Sequence, residues 1–270
     1  MTWDVIYEKS IREDGSLFFP ERLSREFLEQ KKKSMGSYLF ANQYQNEIIP
    51  LEDAPFKIEW LRYYQTLPKE NFYRFFFIDP AISTQDGADY TACTGVIVDS
   101  NQMWYLTHAF RQRITPTQIV KLVFDITTQF DPVCIGIEDV TYQKALLYMI
   151  EEESQRRNVL APVKGIRPPT AKTKERRILG LVPRFEWGRI LIAQGLYDFE
   201  QEYSQFPRSS HDDIMDSLAY MESIVIYPDD NKEEFYDGPA PPKNHPRYEE
   251  WYIRNKSRQR DFESEDCYRS

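Results

Sequence analysis

Residues 211–220 place three aspartates within one turn of a predicted helix whose other side is apolar. Because a helix repeats every 3.6 residues, Asp212 and Asp216 share a face and Asp213 lies beside Asp216. Three carboxylates packed against an apolar face cost stability unless a cation gathers them. No single segment supplies enough ligands for such a cation, so the chain has to fold in a way that brings other acids to this helix.

Two further acids stand where predicted strands end. Asp79 ends the aromatic and apolar run 73–79, and Glu138 ends the apolar run 133–138; both runs are typical of buried strands. The two acids are 59 residues apart (138 − 79), and Glu138 is 75 residues from Asp213 (213 − 138), so only tertiary structure brings them together. Mg²⁺ and Mn²⁺ prefer oxygen ligands, and two such ions roughly 3.5–4 Å apart hold a phosphodiester and activate water. The sequence therefore predicts a metal site made of carboxylates.

Each acidic segment also has a purely structural interpretation. Asp79 suits a strand-ending turn, and Glu138 suits a cap for the helix that follows. Asp212 and Asp213 suit the electropositive start of a helix. Asp216 fits that interpretation less well, because it lies four residues further along among apolar neighbours. The coincidence of all three segments with strand and helix ends favours metal binding.

Two residues are predicted to support the site from its margin. Asp89 precedes the second predicted strand and is placed to reach the metals through an intervening ligand. His211 directly precedes the acidic turn and either orients a phosphate or a water, or caps the helix. Asp86, in the same loop as Asp89, is interpreted as part of a solvated turn.

The formal net charge of −9 argues against a nucleic-acid partner, but the charge reverses between residues 164 and 190. Eight Lys or Arg stand there against two Glu. Such a run is ordinarily a solvated helix face, but this one lies between the second and third acidic segments, beside the predicted phosphodiester site. We therefore predict a basic ridge that contacts DNA phosphates whatever the base sequence. Its members are Lys164, Arg167, Lys172, Lys174, Arg176 and Arg177.

The hydrophobic pattern predicts strands and helices in the order β-β-β-α-β-α-β-α-α. The strands lie at 73–79, 91–99, 103–110, 133–138 and 159–163, and the helices at 115–130, 142–157, 172–182 and 212–227. Three antiparallel strands followed by crossovers to parallel ones make an α/β fold with a mixed five-stranded sheet flanked by helices. In such sheets ligands bind at the carboxyl ends of the parallel strands, where Asp79 and Glu138 stand.

The folded part is predicted to cover residues 71–228. Residues 1–70 are predicted to be an N-terminal arm, with a helix that begins after Ser24. Residues 229–270 are rich in acids and prolines and poor in aliphatic residues. They are predicted to be a flexible tail, or a docking segment that orders on a partner.

The cysteines and the apolar runs indicate the environment of the chain. Cys93, Cys134 and Cys267 are far apart and form no CxxC pair, which fits a reducing compartment. No apolar run approaches the length of a membrane span, and the first residues do not form a signal peptide. We therefore expect a soluble intracellular protein.

Six stretches resemble the large terminase subunit of tailed bacteriophages, four of them its nuclease domain, which has an RNase H-like fold. Four of them carry the predicted site: FIDPA at 77–81, GIED at 136–139, KERRI at 174–178 and HDDIMDSLA at 211–219. The other two, FPERL at 19–23 and FANQYQN at 40–46, resemble the segment that joins motor to nuclease in that family. The likeness covers roughly residues 17–226, and the closing acidic motif is its most specific part.

The resemblance implies an endonuclease that cuts concatemeric viral DNA into packaged genome lengths with a pair of Mg²⁺ or Mn²⁺ ions. Catalytic metal binding then falls to Asp79, Glu138, Asp213 and Asp216, with Asp212 as a further metal ligand. Asp213 is the first choice for the third ligand and Asp216 the second.

The resemblance also implies partners and a location. The partners are double-stranded DNA, a terminase ATPase domain, the small terminase subunit and the portal, and the location is the cytoplasm of the infected bacterial host. The chain has no GxxxxGK[ST] loop, so we expect no ATP hydrolysis by this chain itself.

Two other functions are compatible with the same residues. One is an RNase H-like junction resolvase or ribonuclease. The other is a non-catalytic module that docks and grips DNA, in which the acids serve only the fold. The coincident acids favour an enzyme, and the arm and the tail favour the packaging function.

Overall fold

The computed structural model describes residues 8–47, 55–81, 90–138, 143–168 and 173–228. The chain divides into two units, Met1–Pro228 and Asp229–Ser270, and the described residues all lie in the first unit. Asp89, Lys172 and the predicted tail fall outside the described ranges. None of the helices in the described part of the chain combines the length and the apolar character needed to cross a bilayer.

Six strands form one mixed sheet in the described ranges: β1 Phe72–Asp79, β2 Thr91–Asp99, β3 Trp104–Gln112, β4 Cys134–Glu138, β5 Val163–Ile166 and β6 Ile190–Ile192. Their order across the sheet is β5-β4-β1-β2-β3-β6. Strand β2 is antiparallel to both β1 and β3, whereas β4 is parallel to β1, β5 to β4, and β6 to β3. The predicted mixed α/β sheet is therefore confirmed, and the structure adds a sixth strand to the five that were predicted.

Seven α-helices accompany the sheet in the same ranges: α1 Arg25–Tyr44, α2 Pro116–Phe130, α3 Gln143–Arg157, α4 Lys174–Leu179, α5 Val182–Glu186, α6 Tyr197–Gln205 and α7 Asp213–Tyr220. Alternation along β1 divides its aromatic and apolar residues between two cores. Phe75 and Phe77 face the core that contains α7, and Phe76 and Ile78 face the core that contains α2 and α3. Burial on both faces explains why β1 reads as a continuous apolar run.

The fifth strand lies further along the chain than predicted. The prediction was 159–163, whereas β5 comprises Val163–Ile166. The prediction followed the apolar side chains, but strand pairing depends on the backbone: the Ile135 amide donates to the Pro162 carbonyl, and pairing with β4 continues from there. Because β5 is an edge strand, it tolerates the lysine and the glycine that weaken its sequence pattern.

Between the basic segment and the acidic helix the structure contains elements that the pattern did not predict. The predicted helix 172–182 divides into α4 and α5, with Gly180 after the first and Pro183 in the first turn of the second. Strand β6 and helix α6 follow; β6 is too short for a periodic pattern, pairs with β3 and forms an isolated parallel bridge to Tyr63. Helix α7 ends at Tyr220 and passes into the 3₁₀ turn Met221–Ser223, earlier than the predicted end at 227.

Helix α1, in the predicted arm, packs against α5. It begins after Ser24, whose hydroxyl accepts from the Phe27 amide, as predicted. At Gly36 the helix is interrupted by a φ of 77°, and a Cβ there would lie 3.3 Å from Pro183. Glycine adopts positive φ without steric cost, so it permits both the kink and the close approach. Beyond the kink, the Ser37 amide donates to Glu186 Oε2 at 2.8 Å.

The contact between β4 and β1 at Gly136 provides a test of the sheet packing. A Cβ at position 136 would lie 2.6 Å from the Phe77 ring. We therefore expect Gly136→Ala to lower the free energy of unfolding by about 1–3 kcal/mol through overpacking. Urea unfolding followed by circular dichroism measures the loss. Adding Phe77→Leu relieves the overlap, so the double variant should lose less than the sum of the two single losses; simple additivity would contradict this packing.

Candidate functional site

Buried hydroxyls anchor the centre of helix α7 to the sheet. Ser217 Oγ lies 2.9 Å from Thr94 Oγ1 on β2 and donates to the Phe77 carbonyl on β1 at 3.2 Å. Asp216 precedes Ser217 in the helix, and Asp79 follows Phe77 by two residues on the same face of the strand. These contacts therefore bring both acids to the carboxyl end of β1.

Asp79, Glu138 and Asp216 form one electrostatic cluster at this edge. Asp79 keeps some accessible surface, but the atoms packed around it remove most of its hydration and raise its pKa well above the ordinary value. The charge and hydrogen bonding of Glu138, and then the charge of Asp216, raise this pKa further. Asp216 is 3% exposed, and burial raises its pKa as well, against the opposing effect of Arg177. The structure thus brings together one acid from each of the three predicted segments.

Two basic side chains of α4 neutralise the aspartates of α7. Arg177 pairs with Asp216 through two hydrogen bonds, Nε to Oδ1 at 2.9 Å and Nη2 to Oδ2 at 2.7 Å. Lys174 Nζ lies 2.6 Å from Asp212 Oδ1 and 2.9 Å from Asp213 Oδ1. The side chains of Asp212 and Asp213 are 30% and 22% exposed, against 4% for Asp216. Asp212 and Asp213 therefore lie at the rim of the site, and Asp216 lies inside it.

Tyr220 connects Glu138 to the basic side chains. Its hydroxyl donates to Glu138 Oε1, and its ring centroid is 4.5 Å from Arg177 Cζ and 4.6 Å from the centroid of Phe77. Burial, and then the hydrogen bond to Glu138, raises the pKa of Tyr220. The phenol therefore keeps its proton and remains a donor that fixes the orientation of the Glu138 carboxylate.

The cluster suits a hard divalent cation, because its carboxylate oxygens are the ligands that such cations prefer. Within the described ranges, however, no set of three or more His, Cys, Asp or Glu side chains is arranged to hold a metal ion. Arg177 and Lys174 instead contact the aspartates of α7. Their N–H groups are hydrogen-bonded to aspartate oxygens of α7 that such a cation would bind.

A buried glutamate that the sequence analysis missed caps helix α7. Glu202 of α6 is 1% exposed, and its Oε2 accepts from the amides of Ile214 (2.9 Å) and Met215 (3.1 Å). Its other oxygen pairs with Arg111 of β3. Burial raises the pKa of Glu202 to about 7, against the lowering effects of the Met215 amide and of Arg111. Its one sequence signal is an acid between Phe199 and Tyr203, on the apolar face of a helix.

This cap bears on the structural interpretation of the acidic turn. Asp212 occupies the N-cap position of α7, but its side chain makes no capping hydrogen bond. His211 does not supply the cap either, since the amides of Ile214 and Met215 donate to Glu202. The His211 ring lies beside the site, with Nδ1 3.7 Å from Asp213 Oδ2. The carboxylates of the acidic turn are therefore not needed to cap the helix.

The predicted basic ridge is divided in the structure. Lys174 and Arg177 turn toward the acids, while Arg176, between them on α4, is exposed. Lys164 lies on the edge strand β5 and is half-buried, and Arg167 follows that strand and is exposed. DNA contact by these residues, and by Lys172 outside the described ranges, stays a prediction.

Comparison with solved structures bears on the fold. The large terminase of a thermophilic bacteriophage matches with a TM-score of 0.54 at 11% identity, over 76% of this chain and 53% of that one. This chain shares the fold of a phage large terminase. It spans about half the length of that terminase. Together with the strand order, this match confirms the predicted RNase H-like fold.

Other matches are weaker. The large terminase nuclease domain of P22 matches with a TM-score of 0.46 at 14% identity, over 67% of this chain and 91% of that one. The large terminase nuclease of the thermophilic phage G20c with bound magnesium matches at 0.43 and 15% identity, over 66% and 98%. No family model and no curated protein matches the sequence. The shared architecture is thus detected through structure rather than sequence.

The cap supplied by Glu202 generates a stability prediction. Glu202→Ala leaves the half-buried Arg111 without its carboxylate and two α7 amides without an acceptor. We expect a loss of about 3–5 kcal/mol in the free energy of unfolding, as for other broken buried pairs. Gln201→Ala, an exposed neighbour on α6, is the matched control and should change stability little. Urea titration compares them, and equal stability of the two variants would contradict the capping role.

Proposed function

We propose that this chain is a metal-dependent endonuclease that cuts concatemeric double-stranded DNA during viral genome packaging. The observation that carries this proposal is the convergence of Asp79, Glu138 and Asp216 at one edge of an RNase H-like sheet. Burial and mutual repulsion raise the pKa values of Asp79 and Asp216, so the cluster favours added positive charge. A fold-only or DNA-gripping role for the acids would not require three like charges to meet.

The residues that would hold the metal are Asp79, Glu138 and Asp216, with Asp213 and Asp212 at the rim. The electrostatic contact of Asp216 with Glu138 supports Asp216, ahead of Asp213, as the third ligand. A pair of bound Mg²⁺ or Mn²⁺ ions supplies charge neutralisation of the phosphodiester and activation of the attacking water. Tyr220 holds Glu138 in place through its hydrogen bond.

Lys174 and Arg177 act as internal counter-ions in this proposal. Their charges compensate the aspartates of α7, which keeps the helix docked when no divalent ion is present. If these acids held a divalent ion, Lys174 and Arg177 would no longer be needed as their counter-ions and could contact substrate phosphates instead. The exposed Arg176, together with Lys164, Arg167 and Lys172, would extend this contact along the DNA backbone.

The packaging context rests on the fold shared with a phage large terminase, of which this chain spans about half the length. We propose that residues 71–228 form the nuclease, preceded by a connecting arm and followed by a flexible tail. A terminase ATPase domain, the small terminase subunit and the portal are the proposed protein partners. The proposed location is the cytoplasm of the infected host.

The role of Asp79 is tested by replacing it with asparagine. We expect Asp79→Asn to reduce plasmid nicking in Mn²⁺ by about 100-fold or more, because even outer partners of metal ligands are worth roughly 10–100-fold. Its Tm should not fall, since the change removes one of three repelling charges. Asp125→Asn, an exposed acid on α2, is the control and should nick like the wild type. Undiminished nicking by Asp79→Asn would refute the proposal.

Competition between Arg177 and the metal is tested by thermal unfolding. Arg177→Gln removes the partner of buried Asp216, so its Tm in EDTA should lie below that of the wild type. Added Mn²⁺ should then raise the Tm of this variant by at least about 3 °C more than it raises the wild-type Tm, because the competing guanidinium is gone. Arg176→Gln, its exposed neighbour, should respond like the wild type. Identical Mn²⁺-induced shifts in all three proteins would exclude the competition.

The substrate class is tested with three labelled nucleic acids of equal length. We expect linear duplex DNA to be cut in Mn²⁺ at rates at least equal to those for a four-way junction or an RNA–DNA hybrid. Strong preference for the junction or the hybrid would instead support the resolvase or ribonuclease function. DNA binding with no cutting of any substrate at any Mn²⁺ concentration would support the non-catalytic gripping module.

A further inference from the structure

An aromatic and basic cluster that the acid chemistry does not use lies beside the acids on the same face of the sheet. Asp79 on β1 is opposite Ala92 on β2, which is opposite Arg111 on β3. Residues opposite each other in neighbouring strands share a face, so Arg111 faces the α7 side as Asp79 does. Tyr90, two residues before Ala92, follows the same alternation.

The strand ends bring Tyr90 and Arg113 together. Thr91 is opposite Gln112, so the next residues outward, Tyr90 and Arg113, leave the sheet at the same end. The Arg113 guanidinium carbon lies 4.7 Å from the Tyr90 ring centroid, and that of Arg111 lies 5.5 Å from it. Arg113 is exposed and Tyr90 is half-buried. The half-buried ring thus contacts two guanidinium groups.

His211 joins this pair to the acidic turn. Its ring meets that of Tyr90 edge-on, with 5.1 Å between centroids and 85° between planes. It directly precedes Asp212 and approaches Asp213, so Tyr90 lies one side chain away from the acids. On α4, Lys174 and Arg177 contact the same acidic turn. Lys174 and Arg177 therefore contact the acids directly, whereas Arg113 is linked to them through Tyr90 and His211.

We propose that Tyr90, Arg113 and His211 form a binding surface for one strand of the substrate nucleic acid, next to the acids. This inference rests on the proposed nuclease function and deepens it. Arg113 donates to a backbone phosphate in the geometry that suits guanidinium forks, and Tyr90 packs against the sugar or base of the same nucleotide. The combination of an aromatic face with flanking cations fits a nucleic acid strand better than a purely anionic ligand, which needs no ring.

The location supports the same occupant. The chain as a whole carries a net charge of −9, which repels DNA at long range. A polyanion therefore needs local positive charge to approach three carboxylates. Within the surface of Tyr90, Arg113 and His211, Arg113 places a cationic side chain at the end of β3, on a different strand from the acids. If the contact between Tyr90 and Arg113 only held the ends of β2 and β3 together, Arg113 would not need to lie on the same side of the sheet as the acids.

The test measures DNA binding separately from cutting. Fluorescence anisotropy with a labelled duplex of about 30 base pairs and the full chain in EDTA, repeated over a range of salt concentrations, gives the Kd and its salt dependence. We expect Arg113→Gln to weaken binding about 5- to 10-fold at low salt and to lower the slope of log Kd against log salt by about one phosphate contact. Tyr90→Leu should weaken binding roughly 5-fold or more with little change in slope, whereas Tyr90→Phe should bind like the wild type.

Arg74 provides a matched control. Its guanidinium carbon lies 4.6 Å from the Phe72 ring centroid, in a similar cation–aromatic pair at the opposite end of β1 from Asp79. Arg74→Gln should therefore leave both Kd and salt slope unchanged. A Tm close to that of the wild type for each variant shows that binding was compared between folded proteins.

The outcomes separate this surface from the proposed function. If the wild type nicks plasmid in Mn²⁺ but Arg113→Gln and Tyr90→Leu bind DNA as tightly as the wild type, the surface is refuted and the nuclease stands. If the two variants bind weakly but no protein nicks, the surface stands and the nuclease is refuted. A wild-type chain that does not bind the duplex at all, or an Arg74→Gln loss equal to that of Arg113→Gln, would also overturn the surface.

Discussion

The burial of Asp216 beside Asp79 and Glu138 places like charges where water screens them poorly, so positive charge has to be supplied to this edge of the sheet. In the structure Arg177 and Lys174 supply it, with Arg177 forming two hydrogen bonds to Asp216. The same requirement makes the edge suitable for divalent cations. Stability without metal and affinity for metal are therefore two consequences of one electrostatic constraint, and they oppose each other at α4.

Helix α7 can carry acids because other elements hold it in place. Ser217 anchors its centre to β1 and β2, and Glu202 from α6 accepts from its first amides. A helix that relied on Asp212 or Asp213 for its cap would have those carboxylates committed to its own backbone. Because Glu202 of a different helix supplies the cap, the carboxylates of the acidic turn are not committed to capping. The pair of buried Glu202 and half-buried Arg111 thus helps to position the acidic turn.

The surroundings of the acids differ in charge from the chain as a whole. Lys174 and Arg177 of α4 contact the acidic turn, and Arg113 at the end of β3 contacts Tyr90 next to His211, although the net charge is −9. At physiological ionic strength, the electric fields of exposed charges are screened within about 8 Å. The positions of individual basic residues therefore matter more for DNA contact than the net charge of the chain. For the proposed nuclease, basic residues beside the acids would offset locally the repulsion that the net charge of the chain exerts on DNA. This local charge would favour DNA contact at the proposed cleavage site.

The amino-acid sequence determined which acids stand at strand ends, the first four strands and the closing acidic helix, because apolar periodicity and chain direction are local properties. It did not determine β6 or the position of β5, since a short or edge strand is defined by its backbone partner rather than its own pattern. Tertiary structure alone decided three features: the deeper burial of Asp216 than of Asp213, the pairing of Arg177 with an aspartate 39 residues away, and the cap from Glu202. These features depend on which side chains meet once the helices pack on the sheet. Residues that are brought together by packing have no characteristic spacing in the sequence.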